Sequence, residues 1–72
     1  MTRMRYMIFD ADTRRFLKIA FQIGGDPRVL YTEWTRNPGK AQRFPGVKSA
    51  RGMRRKLGGN LTIISERGRE IP

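Results

Sequence analysis

The residues capable of covalent chemistry are few, and their spacing suits none of the common reactions. Neither cysteine nor histidine occurs in the 72 residues, which removes disulfides, thiolate or imidazole metal sites, and imidazole as a general base. Ser49 and Ser65 have only lysines or carboxylates to activate a hydroxyl. Their places, at a predicted helix start and a predicted strand end, suit structural punctuation instead. Asp10 and Asp12 form an Asp-x-Asp pair that could hold magnesium, yet between two apolar runs and beside Arg14 and Arg15 they also suit a turn. Neither Asp26 nor Glu33 is followed by a lysine at the spacing of a nuclease built on two acids and a lysine. Gly24, Gly25, Gly58 and Gly59 lie beside element ends and form no phosphate-loop or dinucleotide pattern. The sequence therefore predicts a non-enzymatic protein with no cofactor and no metal.

Non-covalent chemistry is a different matter. Sixteen basic residues stand against six acidic ones, a net charge of +10, more than the ~2–8 that solubility asks of a small domain. The basic residues are concentrated. Between positions 36 and 56 lie Arg36, Lys40, Arg43, Lys48, Arg51, Arg54, Arg55 and Lys56 and no acid at all; the acids are at 10, 12, 26, 33, 66 and 70. Like charge gathered this way repels itself, whereas a merely soluble surface mixes its signs. Arg54, Arg55 and Lys56 gain from the dipole at the end of a predicted helix, by ~0.3–1 kcal/mol each. Lys48 and Arg51, near its start, do not. Twelve arginines to four lysines favour a partner that a planar, bidentate fork can grip, a phosphate or a carboxylate. These eight residues are the predicted contact surface for an anionic partner.

The elements that must position them are legible as periodicity. Tyr6 to Phe9 alternates, Asp10 to Thr13 has turn chemistry, and Leu17, Ile19, Phe21 and Ile23 alternate again, so the first two runs predict a β-hairpin. Gly24-Gly25-Asp26-Pro27 interrupts, and 29–35, rich in β-branched and aromatic residues, predicts a third strand. Asn37-Pro38 predicts a short helical turn with Asn37 as its cap and Ala41 and Phe44 turned inward. Over 47–57, Val47, Ala50, Met53 and Leu57 share one helical stripe, and Lys48, Arg51 and Arg55 lie opposite. Gly52 weakens this helix by about 1 kcal/mol relative to alanine, and Gly58-Gly59 ends it before a last strand at 61–65. The predicted fold is α+β in β-β-β-α-β order, a small antiparallel sheet with one main helix on one face. Ile19, Phe21 and Ile23 are expected to meet that helix alongside Leu17. Residues 1–66 form one domain and 67–72 a frayed tail.

No apolar run approaches the ~20 residues of a membrane span, and no signal-peptide pattern follows the basic Met1-Thr2-Arg3-Met4-Arg5; a cytoplasmic location is expected. Tyr6, Tyr31 and Trp34 are candidates to stack on bases or to fill the core. With no helix-turn-helix, zinc-finger or RNA-recognition pattern, backbone and shape would outweigh base readout.

Tyr6-Met7-Ile8-Phe9, Arg15-Phe16-Leu17, Trp34-Thr35, Ala41-Gln42-Arg43-Phe44, Ala50 and Leu57 are spaced as in small proteins encoded by phages, prophages and plasmids, which the chain resembles over about residues 5–65. Its arginine content departs from theirs. The resemblance implies an α+β fold and a mobile-element origin, and carries over no catalytic or binding residue. Two functions are expected from the whole reading. The first is binding to nucleic acid, alone or within a nucleoprotein. The second is anti-CRISPR-like inhibition of a host machine by occluding an acidic protein surface.

Overall fold

The structure, a computed structural model, describes residues 4–72; Met1 to Arg3, the start of the basic N-terminus, lie outside the described residues. Five strands and one main helix follow in the order β1 (Tyr6–Asp10), β2 (Arg15–Ile23), β3 (Val29–Thr35), a single 3-10 turn (Pro38–Lys40), α1 (Val47–Leu57), β4 (Leu61–Ser65) and β5 (Glu70–Ile71). The strands form one antiparallel sheet in the order β3-β2-β1-β4-β5, and α1 lies across β1 and β4. No helix among the described residues is long and apolar enough to cross a membrane.

The turns form for the reasons the sequence offers. Asp10 Oδ1 accepts from the amides of Asp12 at 2.9 Å and Thr13 at 3.4 Å, so this carboxylate closes the β1–β2 turn. Arg14 completes it at φ 59°, a left-handed conformation that an L side chain resists. Asn37 accepts from Gly39 N at 2.9 Å and caps the 3-10 turn. Ala41 and Phe44 are buried beyond it. Gly58 ends α1 at φ 68°, its amide donating to Arg54 O at 3.0 Å.

Ile8, Leu17, Phe44, Ala50 and Ile63 form the core, with Tyr6, Ala20, Trp34, Met53, Leu57, Leu61 and Ile71 packed around them. Of the stripe predicted for α1, Ala50, Met53 and Leu57 pack on the core, while Val47 borders a surface hollow with Lys48, Arg51 and Arg55. The alternation expected of β2 fails. Leu17 pairs with Trp34 but Ile19 pairs with Glu33, so Lys18 is an extra residue in a β-bulge. A bulge shifts the alternation by one. Ala20, not Ile19 or Phe21, therefore faces the core, and Ile19, Phe21 and Ile23 stand on the opposite face at 37%, 46% and 49% exposure. The bulge coincides with a change of neighbour. β2 pairs with β1 only at Phe16 and Arg15; then Gln42 N donates to Leu17 O at 2.8 Å and Phe44 bridges to Tyr6. Beyond Leu17, β2 and β3 continue as a two-stranded ribbon. In place of an irregular tail, residues 67–72 hold a turn and a short strand: Ser65 Oγ accepts from Arg69 N at 3.0 Å, Ser65 N donates to Arg69 O at 2.8 Å, and β5 places Ile71 beside Ile63.

Candidate anion-binding surface

The amphipathic phase of α1 decides which basic side chains reach solvent. With Ala50 fully buried and Met53 and Leu57 half-buried against the core, Lys48, Arg51, Arg55 and Lys56 are exposed and Arg54 is half-buried on the flank. Arg51, Arg54 and Arg55 converge with Gly58, Gly59 and Leu61 around an open hollow of about 400 Å³. A glycine at 58 leaves this hollow without a side chain on its floor, and a Cβ built there meets nothing within 4 Å. Gly52 lies among Lys48, Arg51 and Arg55 on the exposed side. It too has nothing within 4 Å of a built Cβ, so no packing within the protein calls for a glycine.

The other predicted residues divide. Arg36 and Lys40 are exposed where the chain leaves β3 and passes through the 3-10 turn. Arg43 is engaged internally: Nη1 donates to Pro38 O at 2.9 Å and Ala41 O at 2.8 Å, and Nε lies 3.4 Å from Glu66 Oε2. Arg51 donates to Pro72 O at 2.8 Å from an exposed position. Arg43–Glu66 is the one ion pair among the described residues, so no Asp or Glu side chain there pairs with a helix cation. The helix dipole offsets part of the repulsion among Arg54, Arg55 and Lys56, and Arg51 bonds the Pro72 main-chain oxygen; a bound anion would relieve the rest.

Of the aromatic candidates, Tyr6 and Trp34 pack against the core, and the Trp34 indole N–H donates to Thr32 Oγ1 at 3.2 Å. Tyr31 is exposed on the ribbon. Its phenol is held above its ordinary pKa by hydrogen bonding to Glu33, then by that carboxylate's charge, and last by burial. Asp10 and Asp12 line a separate hollow of about 370 Å³ on the other side of Gly58-Gly59, with Trp34, Leu57 and Asn60. Among the described residues no three carboxylates gather as a metal site. The sequence reading treated Gly52 and Gly58-Gly59 as helix defects and stops; their part in opening the basic surface follows only from the phase of α1. No protein-family model matches the chain, and no curated protein or solved structure is significantly similar to it.

Proposed function

We propose that the protein binds nucleic acid, alone or within a nucleoprotein, without covalent chemistry, through the exposed side of α1 and the basic residues leading into it. The observation that carries this reading is a helix face with Lys48, Arg51, Arg55 and Lys56 exposed and no Asp or Glu side chain paired with them among the described residues, Arg51 alone bonding a main-chain oxygen. Exposed cations spread over the length of the helix suit a run of phosphates better than a single charge. Arg36 and Lys40, exposed in the segment before the helix, add to the charge; Arg43 contributes less because its guanidinium is used internally.

An anisotropy titration on mixed-sequence DNA and RNA tests the reading. Neutralising four to five phosphates gives a log–log salt slope of about −3.5 to −4.5. Absence of binding at low salt, or affinity indifferent to salt, rejects it. One observation favours a protein partner instead: the hollow lined by Arg51, Arg54 and Arg55 is a focused anchor for a carboxylate. Arg51→Lys with Arg55→Lys keeps the charge and removes two bidentate forks. Phosphates held by charge should tolerate that change, whereas a loss beyond tenfold, about 1.4 kcal/mol, would identify a desolvated arginine anchor on a protein.

A further inference from the structure

The β2–β3 ribbon is apolar where the rest of the surface is charged. On the face away from α1, three cross-strand rows stack: Ile19 with Glu33, Phe21 with Tyr31, and Ile23 with Val29. The five apolar members are 37–59% exposed, and Phe21 and Tyr31 stand 4.9 Å apart between ring centroids. The exposed part of these side chains is on the order of 450 Å². An isolated two-stranded ribbon is marginally stable in water, and a contiguous apolar patch of this size ranks with the largest that a typical monomer exposes, which are often functional.

From this face we infer that the protein self-associates, two copies packing the apolar faces of their ribbons against each other. Three observations favour a second copy. The first is charge: the six positions hold one formal charge, the negative Glu33, in a chain of +10, so a phosphate would meet no cation among them. The second is area. A compact monomer of 8.4 kDa exposes about 4,600 Å², whereas this chain exposes 5472 Å². Its radius of gyration, 12.2 Å, exceeds the ~11 Å expected for its length. Two ribbon faces supply about 900 Å², and the adjoining half-buried Phe9–Phe16 pair brings the contact to the ~1,000 Å² that a specific interface needs. The third is self-complementarity. A two-fold axis through the Phe21–Tyr31 row sets the Ile19 end of one ribbon on the Ile23–Val29 end of its mate, as an isologous contact requires. It also leaves each α1 on the outside, about one ~10 Å layer behind its own sheet, beyond the ~8 Å screening length at physiological salt.

Sedimentation velocity on the nuclease-treated chain tests this independently of nucleic-acid binding. Dimer is expected in the micromolar range, tightening as salt rises because repulsion is screened while apolar burial is not. That salt dependence is opposite in sign to phosphate binding. Phe21→Gln with Ile23→Gln changes no charge and touches exposed positions outside the core cluster, so the helical signal and the cooperative melt of the core should persist, whatever the ribbon tip loses, while self-association weakens at least tenfold. A chain that stays monomeric at about 0.5 mM overturns the inference, as does a dimer indifferent to the double variant. So does a monomer whose binding to oligodeoxythymidylate is lost in that variant, which would make the face a base-stacking platform.

Discussion

Arg43 and Arg55 carry the same guanidinium into different company. Arg43 satisfies two main-chain carbonyls of the 3-10 turn and approaches Glu66, while Arg55 has no protein partner in the hydrogen-bond network of the described residues and stands in solvent. Charge-assisted bonds to backbone are worth about 1.5–3 kcal/mol, discounted here because the side chain is part-exposed, and the ion pair adds ~0–1 kcal/mol. Arg43→Met, which keeps an apolar stem, is therefore expected to cost about 1–2 kcal/mol and lower Tm by roughly 4–8 °C per kcal/mol. Arg55→Met should leave Tm within error and reduce the salt slope of nucleic-acid binding by about one. Thermal melts and anisotropy on both variants check this; matching losses of stability would mean the helix cation is structural too. The sequence could not separate these arginines, because Arg43 is fixed by contacts with a turn and with a carboxylate 23 positions away. The charge imbalance of 36–56 was legible, but the internal use of one member was not. A smaller effect belongs to Arg14, whose φ of 59° should make Arg14→Gly stabilising by about 0.5–1 kcal/mol in a denaturant titration.

α1 forms with little local support. Its apolar stripe is narrow, its first turn has no side-chain cap and no acid, and Gly52 sits in its middle. Met53 is half-buried against the core, so Met53→Asp sets an unpaired charge on apolar side chains and should strongly destabilise so small a domain. Lys48→Asp, on the solvent side, should leave the circular-dichroism melt cooperative. Gly52→Ala should stabilise by about 0.8–1 kcal/mol, since alanine is the better helix former and its Cβ meets nothing. Gly52→Gln should keep most of that gain yet weaken nucleic-acid binding by standing a long side chain among Lys48, Arg51 and Arg55; unchanged affinity would show that the partner does not approach the helix backbone there. The spans of α1, β2, β3 and β4 were legible because 3.6-residue and two-residue periods persist over whole elements. The bulge was not. Leu17, Ile19, Phe21 and Ile23 alternate without a break, and nothing local says that β2 leaves β1 at Leu17, because Gln42 and Phe44 arrive from elsewhere in the chain to take that place. β5 was missed for a similar reason: two residues carry no period, and their pairing depends on the turn that Ser65 organises.

The molecule keeps its two surfaces apart. Cations gather on the α1 side, the apolar ribbon rows face the other way, and the long axis of 41 Å reflects a ribbon that projects past the helix. Because an in-plane two-fold axis turns the helix side over, the inferred dimer presents its basic faces in opposite directions. It should then bridge two nucleic-acid segments and not clamp one. A duplex of 12 base pairs, about 41 Å at 3.4 Å per pair, is as long as one copy and too short to wrap around to the second face. Two populations of this duplex, one carrying a donor dye and one an acceptor, should show energy transfer when the chain is added at low salt. Phe21→Gln with Ile23→Gln should bind each duplex as tightly as the parent chain, since no cation is altered, and give no transfer. Raising salt should abolish the signal by releasing the phosphates even as the protein dimer tightens, so loss of transfer would accompany a larger, not smaller, protein mass. Transfer that persists in the double variant would mean that one copy bridges alone, with exposed cations outside α1 such as Arg14, Arg15 and Arg28 supplying the second contact.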